Sequence, residues 1–450
     1  MAKLWLPPLL SLAPVHVCAY ADASIKPRRI PMQHCVVIGG GIVGLTTAWA
    51  LAERGLAVTL VERASQVAAG ASQANGGQLS YRYVSPLADE GVPLKALRWL
   101  LDADGPLRFK PELRWQQWSW MFDFLRACRG PVNRRMTDRL LALGAYSHAA
   151  FDALRSEAGL DEIALREPGK LVVYRKTQEF ARVAARIAAQ AEAGKAGPEQ
   201  ALSHDECVAL EPALGFSDAH LAGGIFTAGE AVADCRRVCD LLLQRLQKHA
   251  NFRGLLRANA EGFVLRAGSA VALRSSAGEI AAEHFVLAAG LQSRSLGLSA
   301  GIKLPIYPLK GYSLTAPIAA QHRPPLVSVT DFEKKVVYAR IGDSLRVAAM
   351  VDLVGDDERI DPARIASLRR TVLATFPQAA DYALATEWAG LRPATPSGAP
   401  ILGASGVRNL WLNVGHGALG FTFSFGTANI VAELVAGRAS PIDLQGLQYS

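Results

Sequence analysis

The stretch "HCVVIGGGIVGLTTAWALAERG" (residues 34–55) constrains this chain more than any other. A short apolar run, Cys35 to Ile38, opens directly into Gly39, Gly41 and Gly44 at GxGxxG spacing. A helix-patterned segment then runs to Gly55, a natural helix stop. "AVTLVE" reads as the next strand and ends on Glu62, about 20 residues past the glycines, where an acid meets a ribose diol. Strand, glycine turn, helix, second strand and acid occur in the order that a dinucleotide-binding unit requires. The glycines let the backbone approach a pyrophosphate, and the helix N-terminus supplies partial positive charge to it. Val37, Ile38, Gly39, Gly41, Ile42, Val43 and Gly44 are therefore assigned to a nucleotide cofactor, with Glu62 and Arg63 at its ribose end.

The fingerprint does not separate FAD from NAD, but the residues after it help. An NAD unit moves promptly into its next helix, whereas here "RASQVAAGASQANGGQLS" is polar and rich in glycine and alanine. An extended path past Ser72, Asn75 and Gly76 suits a longer cofactor with a second ring system to cradle. A second glycine-rich turn lies near the other end of the chain. In "NLWLNVGHGALGFTFSFG" a strand breaks into Gly415, Gly417 and Gly420 before another helix, with Thr422 in its first turn. A third strand-to-glycine turn, at Ala289-Gly290 in "EHFVLAAGLQSRSL", has the form of a chain returning to the sheet beside the first loop.

Between these turns the chain reads as helical from Leu94 to about Arg129, with Trp115, Trp118 and Trp120 in "WQQWSWMFDFLRAC". That tryptophan stripe is expected to be a packed helix face, with lipid headgroup contact as the alternative. Further helices are expected in "LLALGAYSHAAFDALRSEAG" and "QEFARVAARIAAQAEAG", with a strand, "GKLVVYR", between them, and a helix capped by Asp234 follows. "GFVLRAGSAVALRSSAGEI" reads as a meander. "LPIYPLKGYSLT" and "VVYARIGDSLRVAAMVDLV" alternate apolar and polar residues, as in an antiparallel sheet that roofs a substrate pocket.

Bulk properties exclude little. Hydrophobic residues at 50% describe a folded chain, and the net charge of +8 comes from scattered arginines and lysines without a nucleic-acid motif. The six cysteines show no CxxC or zinc-ligand spacing, so reduced thiols and no metal are expected. No P-loop and no GxSxG elbow occurs. Residues 1–31 combine an apolar run with interrupting prolines; they read as an over-long start before Met32, with a secretory leader as the alternative. No membrane span is expected beyond them.

The segments "GGGIVGLTTAWALAERG", "ASQANGGQLS", "GVPLKALRW", "YPLKGYSLT", "GLRPATPSGAPILG" and "NLWLNVGHGALGFT", in this order, resemble the FAD-dependent D-amino acid dehydrogenases, within the wider D-amino acid oxidase and glycine oxidase group. The resemblance runs from about Met32 to the C-terminus. It implies an α/β fold: a Rossmann-type FAD-binding domain from 32–93, 231–300 and 390–440, and an embedded substrate domain from 94–230 and 301–389 built on a mostly antiparallel sheet plus helices. Residues 1–31 and 441–450 would be extension and tail. It also implies oxidation of D-amino acids to 2-oxo acids and ammonia by hydride transfer from Cα to flavin N5, with electrons passing to a respiratory acceptor such as quinone. A cytoplasmic enzyme is expected, with peripheral contact to the inner face of the plasma membrane as an option. Three places depart from the family pattern: "EAVADC" keeps Asp234 and Cys235 but loses preceding acids, "RVAAMVD" stands where "RVGGMAE" is expected, and Ser397 makes "TPDG" into "TPSG". These bear on side-chain preference.

In that setting the late turn is expected to hold the redox-active ring, with backbone N–H groups and a helix N-terminus stabilising the charge of reduction, and His416 either donating to it or packing. A substrate carboxylate calls for a bidentate cation, and Arg392 in "GLRPATP" is the first choice. Tyr312 and Tyr83 are candidates to bind the carboxylate or close the pocket, and Arg340 is a second, weaker cation. No dedicated base is evident, which suits direct hydride transfer from a neutral amine. The alternatives are a related flavoenzyme acting on D-proline-type, N-methyl or opine substrates, and a non-catalytic flavin-binding subunit.

Overall fold

The computed structural model describes residues 33–102, 104–158, 163–194 and 197–449. The reading of residues 1–31, and Cys18 with it, lies outside the described residues. The chain opens with β1 (His34–Ile38), α1 (Ile42–Glu53) and β2 (Ala57–Glu62). From Glu62 to α2 (Val92–Leu101) the one regular piece is β3 (Gln78–Leu79), so the segment after the acid stays free of helix. Then come β4 (Leu107–Phe109), α3 (Trp115–Ala127), α4 (Gly130–Ala158), β5 (Lys170–Tyr174), α5 (Thr177–Glu192), β6 (Glu199–Leu202), α6 (His204–Leu210), β7 (Gly223–Thr227), β8 (Ala231–Val232) and α7 (Cys235–Lys248). The meander β10 (Ala260–Arg266), β11 (Ser269–Ser275), β12 (Gly278–Ala281) sits between β9 (Phe252–Arg257) and β13 (His284–Leu287). After α8 (Ser293–Ser299) follow β14 (Tyr307–Pro317), β15 (Ser328–Asp331), β16 (Val336–Ile341), β17 (Ser344–Leu353) and α9 (Pro362–Thr375). The chain finishes with β18 (Thr386–Ala394), β19 (Ile401–Ala404), β20 (Leu410–Val414) and α10 (Gly420–Val435).

Two sheets carry the architecture. The first has the order β19–β20–β13–β1–β2–β9, parallel throughout except for β19. Its central strands are buried on both faces, which is why "CVVI" and "FVL" are unbroken apolar runs. The second runs β18–β14–β17–β16–β15–β5–β7–β6, with β4 added beside β17. It is antiparallel except at β15–β5 and β17–β4. Strand β18 continues to Ala394 within this sheet, and α4 packs on α10, which lies against β19 and β20 of the first sheet.

Asp234 caps α7 as expected, its carboxylate accepting from the N–H groups of Arg236 and Arg237. The continuous helix expected from Leu94 to Arg129 is not formed. Gly105 and Pro106 break it and Pro111 precedes the restart, because proline lacks the N–H a helix interior needs. The tryptophan stripe also departs from expectation. Trp120 is buried, but Trp115 is 80% exposed and Trp118 44% exposed, because the inner face of α3 is filled instead by Trp120, Met121 and Phe124.

Among the described residues Gly417–Val435 is long and apolar enough to cross a membrane by length and composition, yet 67% of it is buried in the protein. It packs on α1 and α4: the Thr46 hydroxyl donates to the Ser424 carbonyl at 3.1 Å, and Gly426 leaves no room for a side chain beside Ser147. Cys35, Cys128, Cys207, Cys235 and Cys239 are unpaired and buried, and no metal-ligating cluster occurs among the described residues.

Behind the second sheet, Asp352 of β17 and Arg364 of α9 form a two-pronged ion pair at 2.7 and 3.1 Å, each about 1% exposed. Arg364 also donates to the Gly105 carbonyl at 2.8 Å, so the pair ties β17, α9 and the α2–β4 turn together. Replacing Asp352 by Ala strands a buried guanidinium and is expected to cost about 3–5 kcal/mol, read as a lower urea midpoint. A loss below about 1 kcal/mol would show that the pair does not anchor the sheet.

Candidate active site

The first glycine turn is shaped by close backbone approach. Gly39 has φ 110°, and a Cβ there would fall 2.5 Å from the Ala288 carbonyl oxygen of the neighbouring β13 end. A Cβ at Gly44 would fall 1.7 Å from the Gly39 carbonyl oxygen, so α1 rests directly on the turn that precedes it. The Glu62 carboxylate accepts from Gly40 N–H at 2.6 Å and Ala64 N–H at 2.8 Å, which ties the acid to the turn. Each oxygen keeps a further acceptor position. Ser72 accepts from Ile42 N–H, the first residue of α1, at 3.1 Å.

These residues open onto a single cavity of about 1710 Å³. Ile38, Gly39, Gly41, Ile42, Val43, Glu62, Arg63 and Ser72 line it. Val37 and Gly44 do not: Val37 is fully buried in the core, and Gly44 serves the packing of α1. Asn75 and Gly76 also line it, beside the second sheet, where a Cβ on Gly76 would stand 3.5 Å from Val337 and 3.6 Å from Ala348 and the Asn75 carbonyl accepts from Arg346 at 2.8 Å. Ala289 and Gly290, Gly415, Gly417, Gly420 and Thr422 all line the same space. Gly415 (φ 80°) and Gly417 (φ 55°) let the late turn reverse, and a Cβ on Gly415 would meet Thr395 at 2.6 Å.

The cavity exceeds the usual small-ligand range of about 300–1,000 Å³, as a dinucleotide plus a substrate requires. It joins a helix N-terminus, an acid at the ribose position and a second glycine turn whose helix start also lines the wall. The buried Asn413 Oδ1 on that wall has no hydrogen-bond partner, although its Nδ2 donates to Thr47. FAD fits this donor and acceptor set from end to end.

Arg392 reaches the cavity from β18. Its guanidinium lies flat across Gly311 of β14: a Cβ there would stand 2.2 Å from Nη2 and 2.4 Å from Cζ. Nη1 donates to the Met350 carbonyl at 2.9 Å. Burial pushes the guanidinium down to about 10, still fully charged at neutral pH, and Asp352 opposes that shift. Two residues on, Ala394 bridges to His416, so the edge of the second sheet is joined to the late glycine turn.

The other expected side chains are distributed differently. His416 is 3% exposed and shares a 3.1 Å hydrogen bond with Thr427, and burial pushes its pKa down to about 3, so it is neutral. Tyr312 touches the cavity wall, but its ring packs in the core behind the sheet, where burial pushes its hydroxyl pKa up. Tyr83 lines the cavity, its ring beneath the Lys170 ammonium at 4.4 Å. Arg340 is not brought to the site; its Nε turns back onto the Gly342 carbonyl of its own hairpin.

The fold adds Lys170, which sequence reasoning passed over. It is 2% exposed, donates to Gln78 Oε1 at 2.8 Å and Ser80 Oγ at 3.0 Å, and is pushed down to about 8 by burial. A lone lysine opening the apolar strand "KLVVY" was the available signal. Lys170 pins the loop after Gly77, and Thr422 of α10 holds the same loop through Ser80 N–H at 3.4 Å.

The family model for FAD dependent oxidoreductases of the DAO type matches residues 34–434. The chain therefore belongs to the DAO family of FAD-dependent oxidoreductases. Among curated relatives it is 50% identical over 418 residues to "D-amino acid dehydrogenase 2" of Pseudomonas aeruginosa, covering 92% of this chain and 98% of that one. It is 45% identical over 414 residues to the protein of the same name from Ralstonia nicotianae, covering 90% and 97%. Its fold is similar to glycine oxidase from Geobacillus kaustophilus, with a TM-score of 0.71 at 22% identity over 93% of this chain and 99% of that one. It is also similar to iminodiacetate oxidase from Chelativorans, with a TM-score of 0.69 at 21% identity over 92% and 98%.

Two outcomes follow from this geometry. Gly311→Val puts methyl groups where the Arg392 guanidinium lies, and substrate KM is expected to rise at least about tenfold while bound flavin stays stoichiometric. An unchanged KM would show that the position of the guanidinium is immaterial. Because His416 refuses a proton that the unfolded chain accepts below about pH 6.5, it lowers stability by about 1.4 kcal/mol per pH unit as pH falls toward 5. His416→Asn should flatten that part of the urea-unfolding slope; equal slopes would mean His416 is protonated in the fold.

Proposed function

We propose that this chain is an FAD-dependent D-amino acid dehydrogenase that converts D-amino acids to 2-oxo acids and ammonia. One observation carries the reading: the Arg392 guanidinium lies over Gly311 on the wall of the cavity that both glycine turns share. The names of the relatives at 50% and 45% identity support it. The residues of the first turn, with Glu62, would hold the nucleotide end of FAD, and those of Gly415–Thr422 its ring end. When bound, FAD supplies the two-electron acceptor for the Cα–H bond.

The chain's own residues do the rest. Arg392 presents a planar fork to the substrate carboxylate and so anchors that end of the substrate. The Met350 carbonyl and the flat surface of Gly311 hold that fork in one orientation. His416, kept neutral by burial, adds no charge to the late turn. The backbone N–H groups there and the start of α10 remain the source of positive potential for charge that develops on reduction. Tyr83, over which Lys170 sits, would close the substrate end of the cavity. The electron acceptor in this reading is a quinone, with the protein in peripheral contact with the membrane.

The test is an anaerobic flavin-reduction screen against D-, L- and N-alkyl amino acids, followed by reoxidation with quinone, dye or oxygen. Bleaching by D-amino acids and faster reoxidation by quinone than by oxygen are expected. Bleaching by L- or N-methyl substrates alone would overturn the reading. Arg392→Ala should lower kcat/KM by about 10–150-fold, chiefly through KM, from the loss of a charge-assisted pair of about 1.5–3 kcal/mol.

A further inference from the structure

Helix α3 has two apolar faces, and the protein covers one of them. The inner face packs Trp120, Met121 and Phe124, and of these Trp120 and Phe124 line the cofactor cavity. On the outer face Trp115, Trp118, Phe122 and Leu125 stand at spacings of three, four and three residues, a single stripe along the helix. They are 80%, 44%, 60% and 50% exposed, and Leu113, just before the helix, is fully exposed. Isolated exposed apolar side chains are ordinary, but four large ones aligned on one helix are not.

The charge around the stripe is predominantly positive. Lys110 and Arg114 precede it, and Arg126 and Arg129 end it; all four are exposed, and Arg126 lies over the Phe122 ring at 5.6 Å. Arg114 is shared with Asp356, and Asp123 is the exposed acid within the helix. A stripe of tryptophan, phenylalanine and leucine with cations at both ends matches an anionic lipid surface, which takes the rings at headgroup depth and the guanidinium groups at its phosphates. A protein partner or second copy would have to supply acids at both ends of the helix.

We infer that the outer face of α3 is the surface by which this protein docks on anionic membrane lipid, leaving the cofactor cavity one helix away from the lipid. This gives the membrane contact of the proposed function a defined place. The stripe is visible in the fold whatever the substrate, so the two readings fail separately.

The experiment is flotation of the full-length holoenzyme with vesicles of phosphatidylcholine alone or mixed with an equal part of phosphatidylglycerol. The wild type is compared with the triple variant Trp115→Ser, Phe122→Ser, Leu125→Ser and with the double variant Arg126→Glu, Arg129→Glu. The wild type is expected to float with the anionic vesicles and the triple variant to partition at least about tenfold less. The double variant should lose the preference for anionic over neutral lipid. Each variant should keep its flavin, its melting temperature and its turnover with a soluble dye. Equal flotation of wild type and triple variant would overturn the inference, as would no flotation of the wild type. Concentration-dependent self-association that the triple variant abolishes would overturn it in favour of a second copy. Failure of every D-amino acid to reduce the flavin would sink the proposed function and leave the flotation result standing.

Discussion

The site depends on the contact between α1 and α10. These helices follow the two glycine turns, one near each end of the chain, and they pack so closely that the Thr46 hydroxyl reaches the Ser424 carbonyl. Asn413 reaches Thr47 from the last strand of the same sheet. Gly44 permits this by letting α1 settle on the carbonyl of Gly39. With the helices in register, both turns face one cavity, and a cofactor of FAD length can be held at both ends.

The second sheet acts on that cavity through its edge. Strand β18 carries Arg392 and then bridges at Ala394 to His416, so the buried cation on the cavity wall and the late glycine turn share a backbone connection. The Asp352–Arg364 pair braces the same sheet from behind, on the side where the Tyr312 ring packs in the core. The loop after Glu62 is held from both sides: Arg346 takes the Asn75 carbonyl, and Lys170 takes Gln78 and Ser80. Burial of Arg346 and Lys170 lowers both pKa values, as expected for cations that hold a loop inside the protein.

Much of the nucleotide half was legible in the residues because its constraints are local. Glycine spacing, unbroken apolar strands and an acid at a set distance report on one βαβ unit, and the helix cap at Asp234 was equally readable. The substrate half was legible as an antiparallel sheet but not as a set of roles. Strand alternation places Tyr312 and Arg392 on opposite faces only once the register of β14 against β18 is known, and Arg340, near the tip of the β16–β17 hairpin, lies outside the cavity wall. Helix α3 misled for a related reason. Its apolar content was evident, but a helix apolar on two faces looks the same in one dimension whether one face or both find a partner.

By itself the sequence determined that the chain carries two nucleotide-type glycine turns, that a mostly antiparallel sheet lies between them, and that the ensemble resembles one flavoenzyme family. Tertiary structure alone decided that the turns share one cavity, that Arg392 lies across Gly311, that His416 is neutral and hydrogen-bonded inward, and that Lys170 is a buried member of the wall. The physical reason is range. Backbone preferences and hydrophobic period act over a few residues, whereas the charge and direction of a side chain depend on strands and helices far away along the chain.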